Sequence, residues 1–225
     1  MHKLNLLLKR IFDIFASLLL IILLTPIWII IPICIKIDSK GPVFFLQRRL
    51  TKDGRVFKIV KFRSMVPNAE KMGTGLMNYE NDERITKFGN FLRTTSIDEF
   101  PQLFNIFIGH MSFVGPRPST EFELGDFETL NSTFKKRFTV KAGLTGLAQV
   151  KGRNAIKWTE KVKFDNQYIE SFKKYGIFID IKILFLTFLK VFKREQIYEI
   201  QSDEDKIKSA EKENEEIILA AHKEE

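Results

Sequence analysis

The stretch Arg93-Thr-Thr-Ser96-Ile-Asp98-Glu99-Phe-Pro101-Gln-Leu-Phe-Asn105 sets two adjacent carboxylates a few residues after an arginine. Ser96-x-x-Glu99 has the spacing of a capping box, which would put Asp98 in a first helical turn, where the helix dipole favours it. Pro101 weakens that reading, because a helix starting at Ser96 wants a backbone N–H there. The chemical reading is a site for phosphate and a divalent metal. A helix N-terminus binds anions through free N–H groups, and a carboxylate holds Mg2+ that arrives with substrate phosphates. A carboxylate can also attack phosphorus and form an acyl-phosphate.

Other segments supply cations. In Gly109-His-Met-Ser112-Phe-Val-Gly115-Pro116-Arg117-Pro118 two prolines pin the backbone around Arg117. A rigidly presented guanidinium suits a bidentate grip on phosphate oxygens, although Pro-Arg-Pro is by itself also an ordinary stiff loop. Lys61-Phe62-Arg63-Ser64-Met65 adds two cations, which an exposed strand end would explain equally well. Gly143-Leu-Thr-Gly146-Leu-Ala-Gln149-Val-Lys-Gly152-Arg153-Asn154 reads as a turn and a loop able to approach a ligand closely.

These segments need elements to hold them. Residues 14–35 carry no charge, and 22 helical residues extend about 33 Å, enough for a hydrocarbon core of about 30 Å. The run is too long for the apolar part of a signal peptide, and no small-residue cleavage pattern follows it. Pro26 predicts a bend in the middle, and the hydroxyl of Thr25 can turn back to a carbonyl freed there. Lys3, Lys9 and Arg10 precede the run and Lys36, Lys40, Arg48 and Arg49 follow it. Basic flanks on both sides fit a helix that enters the membrane, bends and leaves on the same face, and an ordinary kinked span is the alternative. Asp13 has Arg10 and Lys9 at helical spacing, so it is expected to pair with them as an anchor at the interface.

Beyond the anchor, residues 43–46 and 56–60 around Asp53-Gly54 read as a β-hairpin. Residues 66–82 read as a loop or lid, and helical patterns cover 88–93 and 98–108. Residues 158–172 are amphipathic, and 177–192 suit either an interfacial or a core helix. The expected fold is α+β and mostly helical, with a re-entrant membrane helix over 1–38, a catalytic domain over 39–198 and a charged tail over 199–225.

Composition bounds the partners. The net charge is +8, but residues 199–225 hold ten acidic residues and four lysines, leaving +14 on the rest of the chain. Such a body favours anions: lipid head groups, nucleotides or nucleic acid. Nucleic acid is disfavoured, since the aromatics are mostly Phe in apolar runs and no nucleic-acid-binding motif is present. The single Cys34 excludes an internal disulfide and reads as a small buried hydrophobe.

Taken in order, Lys9-Arg10-x-x-Asp13, Lys61-Phe62-Arg63-Ser64-Met65, Ser96-Ile97-Asp98-Glu99, Val114-Gly115-Pro116-Arg117-Pro118 and Gly152-Arg153-Asn154 resemble the monotopic bacterial phosphoglycosyl transferases, the bacterial sugar transferase family, and among them the small campylobacter-type enzymes that initiate protein N-glycosylation. The resemblance runs from about Lys9 to Arg194. It implies that Asp98 is the nucleophile on a UDP-sugar and a Mg2+ ligand, with Glu99 its partner. It further implies that Arg93 and Arg117 hold phosphate, joined by Lys61 or Arg63, and that Arg153 meets the nucleotide. Polyprenyl phosphate would be the acceptor, at the cytoplasmic face of a bacterial inner membrane. Thr25-Pro26 matches the family's helix break, with Lys9, Arg10 and Asp13 at its entrance. His110 stands where Asp is usual, Leu147 where Trp is common and Lys151 where Asn is frequent, which leaves the sugar open. The alternative is a non-catalytic membrane-surface binding or scaffold protein of the same fold.

Overall fold

The computed structural model describes residues 3–72, 82–152 and 156–192, together with 218 and 221. Helix α1 (Lys3–Leu23) and helix α2 (Thr25–Asp38) meet at Leu24 with a bend of 62°. The sequence explains the bend. Pro26 stands in the first turn of α2, where a missing N–H costs nothing, and so starts a new helix rather than continuing the old one. Carbonyls freed at the break are recovered by side chains: Thr25 Oγ1 donates to Ile22 O, and Trp28 Nε1 donates to Ile21 O at 2.8 Å. No single helix among the described residues is long and apolar enough to cross a membrane, but the bent pair together meets that requirement.

The burial pattern of α1 is inverted. Its buried residues are Asp13 and Ser17, while Leu4, Leu7, Phe15, Leu19, Ile22 and Leu23 are exposed. Asp13 does not pair directly with Lys9 or Arg10, as its spacing predicts. It accepts from Ser112 Oγ and Phe113 N, both at 3.0 Å. Lys9 instead reaches Asp180 Oδ2 and Val114 O, and Arg10 donates to the carbonyls of Ile106 and Phe107. Long-range partners therefore replaced the local ones, because α1 packs against the protein along its charged side.

Strands β1 (Phe44–Leu50) and β2 (Val56–Phe62) form the expected hairpin, with Leu46 opposite Val60 and Leu50 opposite Val56. Asp53 and Gly54 both take positive φ in the connection, the conformation that Asp-Gly favours. A second sheet pairs β3 (Met111–Val114) with β4 (Ala142–Thr145) in parallel. The glycine segment that reads as turn and loop is thus β4 followed by a short helix, α7 (Leu147–Lys151).

Helices α3 (Lys87–Thr94), α4 (Gln102–Ile108), α8 (Trp158–Tyr175) and α9 (Ile177–Phe192) follow the apolar periodicity, with short α5 (Glu121–Leu124) and α6 (Ser132–Lys136) between them. The main core joins Phe57 and Ile59 of β2, Ile106 of α4, Met111 of β3, Phe172 of α8 and Ile183 of α9, with Leu20 and Trp28 of the bent pair against it. Helix α9 combines both expected characters: Asp180 and Ile183 are buried, whereas Phe178, Phe185 and Phe188 are exposed. Cys34 is half-buried rather than enclosed.

Candidate active site

Helix α3 ends at Thr94, and Ser96 takes a left-handed φ of 58° that turns the chain into a single 3-10 turn, Ile97–Glu99. Pro101 then caps α4, a position that needs no N–H from it. The capping box is not made here: Ser96 accepts no capping bond, and Glu99 turns elsewhere. A capping box does form at Thr120 and Glu123, where Thr120 N donates to Glu123 Oε2 at 2.6 Å and Glu123 N to Thr120 Oγ1 at 3.1 Å.

Asn105 sets the distance between this turn and the hairpin. Its buried amide accepts from Val60 N at 3.0 Å and donates to Lys58 O at 2.9 Å, so α4 is fixed to β2 beside Lys61. Lys61 Nζ then reaches Glu99 Oε1 at 2.9 Å, and Arg117 Nη2 lies 3.5 Å from the same oxygen. Arg117 comes from the loop after β3, where close backbone packing of Gly115 against Gly143 leaves no room for a Cβ.

The two carboxyl groups are driven apart. Burial dominates at Asp98, with repulsion from Glu99 acting the same way, and Lys61, Arg93 and Arg117 only partly offset it; its carboxyl rises to about 6. Burial opposes ionisation of Glu99 as well, but the Lys61 and Arg117 cations outweigh it and hold its carboxyl down at about 2. Among the described residues Asp98 accepts no hydrogen bond. One carboxylate is fixed and ionised, and its neighbour is unengaged and close to neutrality in its titration. Adjacent groups with diverging environments take different chemical roles.

Lys61, Arg93 and Arg117 are thus brought into the field of the dyad. Arg63 is not. Its guanidinium is buried under the end of α2, donating to Lys40 O, Ser39 O and Ser39 Oγ at 2.7–2.9 Å, where it serves the carbonyls of a helix end. Arg153 lies outside the described residues. Arg49 on β1 was not singled out by spacing, yet its charge acts with that of Arg117 near Glu99; it bonds Pro118 O and Glu123, each at 3.1 Å. Only its place among the basic residues after the apolar run hinted at it.

No group of three or more His, Cys, Asp and Glu side chains that could hold a metal occurs among the described residues. The dyad does fit the smaller requirement of Mg2+, which binds through one or two carboxylates and takes its other ligands from water and substrate phosphate.

A carboxylate pair under three cations lies next to apolar surface, carried by a mostly helical fold with an inside-out first helix. Residues 4–194 match the bacterial sugar transferase family, and the chain belongs to it. It is 40% identical over 205 residues to the UDP-glucose:undecaprenyl-phosphate glucose-1-phosphate transferase of Klebsiella pneumoniae, covering 88% of this chain and 43% of that one. It is 43% identical over 198 residues to the galactosyl transferase CpsE of Streptococcus agalactiae serotype III, covering 83% of this chain and 42% of that one. The exopolysaccharide production protein PSS of Rhizobium leguminosarum bv. phaseoli is 38% identical over 191 residues, 81% of this chain and 94% of its own length. The chain therefore spans less than half of the first two relatives but nearly all of the third.

Proposed function

We propose that this chain is a phosphoglycosyl transferase that moves a sugar 1-phosphate from a UDP-sugar to polyprenyl phosphate. The observation that carries the reading is the divided dyad, with Asp98 unengaged beside a Glu99 held by Lys61 and Arg117. Relatives named as UDP-glucose:undecaprenyl-phosphate transferases support the donor and acceptor classes.

In this mechanism a carboxylate oxygen of Asp98 attacks the β-phosphorus of the UDP-sugar. The bond from that phosphorus to the bridging oxygen breaks, and UMP leaves with the electron pair. Asp98 then carries the sugar phosphate as an acyl-phosphate. An oxygen of polyprenyl phosphate attacks the same phosphorus, which frees the Asp98 carboxylate and gives polyprenyl diphosphate-sugar. The protein's part is alignment and charge neutralisation, which suits phosphoryl transfer. Lys61 and Arg117 keep Glu99 ionised and stand ready for phosphate oxygens, and Arg93 adds a third positive charge. Mg2+, held by Asp98 and substrate oxygens, would supply further charge neutralisation. A covalent step lets a water-soluble donor and a lipid acceptor use one site in turn.

The bent α1–α2 pair is read as a re-entrant anchor that keeps the dyad at the cytoplasmic face. Its buried polar residues, exposed apolar ones and two basic flanks support this. Labelling single cysteines at positions 3 and 40 from either side of the membrane tests it; labelling from opposite sides would overturn it.

The reaction is tested by following UMP release from a panel of UDP-sugars with Mg2+ and polyprenyl phosphate, and by acid-trapping a labelled phosphosugar on the protein. Asp98→Asn should lower turnover by about a thousandfold or more, as expected for loss of a nucleophile, and abolish the trapped adduct. Turnover persisting in that variant would defeat the nucleophile assignment, and no UMP from any donor would favour the binding or scaffold alternative.

A further inference from the structure

Arg117 sits in a loop whose backbone is held more completely than its surface position requires. Four successive carbonyls accept from three separate parts of the chain. Gly143 N donates to Pro116 O at 2.8 Å, Arg137 Nη2 to Arg117 O at 2.7 Å, Arg49 Nη1 to Pro118 O at 3.1 Å, and Leu50 N to Ser119 O at 2.8 Å. The Arg117 side chain itself remains 51% exposed and points to Glu99.

Arg137 is the unusual member. Its side chain is 2% exposed, and Nε pairs with Asp165 Oδ2 of α8 at 2.9 Å, itself 2% exposed. The guanidinium lies over the rings of Trp158 at 4.9 Å and Phe138 at 5.2 Å, which fixes its plane. Removing two charges from water is costly, and apolar residues of like volume often pack there equally well. Burial lifts the Asp165 carboxyl to about 6 even with Arg137 beside it. Such a pair is poorly explained by stability. What it adds is a second guanidinium nitrogen delivered to Arg117 O, with the orientation set by Asp165 and the two rings.

We propose that Arg137, oriented by Asp165 and aided by Arg49, is a positioning residue that aims Arg117 at the diphosphate of the donor. The proposal rests on the reading that the dyad site binds a nucleoside diphosphate-sugar. One arginine holds the carbonyl of Arg117 and another holds that of Pro118 beside it, so that of these three arginines only Arg117 presents its charge to the ligand.

A double-mutant cycle on the full chain tests this. Arg137→Met, Arg117→Ala and their combination are compared for kcat and KM of the UMP-releasing half-reaction, and for UDP affinity, which needs no turnover. Arg137→Met should lower kcat/KM for the donor by about tenfold to a hundredfold, the range of a lost positioning contact. In the Arg117→Ala background the same change should cost less than about threefold, because the group being aimed is gone. Arg137→Lys, which keeps a positive charge beside Asp165 but loses the planar fork stacked on Trp158 and Phe138, should recover thermal stability while retaining most of the kinetic loss. If Arg137→Met does not fold, Arg49→Met enters the same cycle. Equal losses with and without Arg117, in kinetics and in UDP affinity, would overturn the proposal. A wild-type chain that releases no UMP would instead overturn the transferase reading, and the UDP-affinity cycle would still decide the clamp.

Discussion

Asp180 and Asp98 each lie in the field of a lysine, and the fold treats them in opposite ways. Under α1, Asp180 is 3% exposed, accepts from Tyr168 Oη at 2.8 Å and pairs with Lys9, which also donates to Val114 O. Asp13 beside it is likewise filled by Ser112 and Phe113 N. At the turn before α4, Asp98 accepts no hydrogen bond among the described residues, and two of the cations around it, Lys61 and Arg117, are directed to Glu99 instead. Charges whose bonds are complete join elements together. Charges left incomplete are available to a ligand, as the position of perturbed groups at functional sites would lead one to expect.

The largest effect that separates the two regions is on stability. Asp180→Ala leaves the largely buried Lys9 with Val114 O alone and should destabilise the chain by about 3 kcal/mol, the lower end of the cost of breaking a buried pair from one side. Lys9→Met combined with Asp180→Leu should recover much of that loss. Glu99→Gln, which breaks a partly exposed pair, should change stability by only about 1 kcal/mol or less while impairing turnover. Thermal unfolding of the three variants in one detergent checks the ranking. Equal destabilisation by Asp180→Ala and Glu99→Gln would erase the distinction between a joining charge and a waiting one.

The same contrast marks what was legible in the sequence. The hairpin is visible because Asp53-Gly54 demands positive φ between alternating strands, and α8 and α9 are visible from their apolar spacing. The dyad and Arg117 stand out because Asp-Glu and Pro-Arg-Pro are local patterns. The joining charges are not local: Lys9 and Asp180 lie 171 residues apart, and Asn105 meets the hairpin across 45. No spacing rule reaches that far, so spacing pairs Asp13 with Lys9 and Arg10, whose charges do act on it, and misses its hydrogen bonds to Ser112 and Phe113 N; the motif likewise puts Arg63 at a phosphate rather than at the end of α2. Strands β3 and β4 escaped for a different reason. Each is four residues long, β3 is buried throughout, and β4 contains a glycine, so neither shows alternation.

A smaller effect sharpens the comparison within the dyad. Because burial raises Asp98 to about 6, its protonated, non-nucleophilic form persists to higher pH than for an ordinary aspartate at 3.8. The initial burst of UMP should therefore be flat above pH 7 and fall about tenfold per unit below pH 6, the behaviour of an essential base. Glu99, held at about 2, stays ionised throughout this range and adds no second limb. Lys61 is the largest charge opposing protonation of Asp98, so Lys61→Met should move the acid limb to higher pH as well as lowering its plateau. Burst amplitudes and rates between pH 5 and 8 for the two proteins read both features. An acid limb near 4, or one that Lys61→Met leaves in place, would mean that Asp98 is as well satisfied as Asp180, and the contrast between the two carboxylates would fail at the point where the chemistry depends on it.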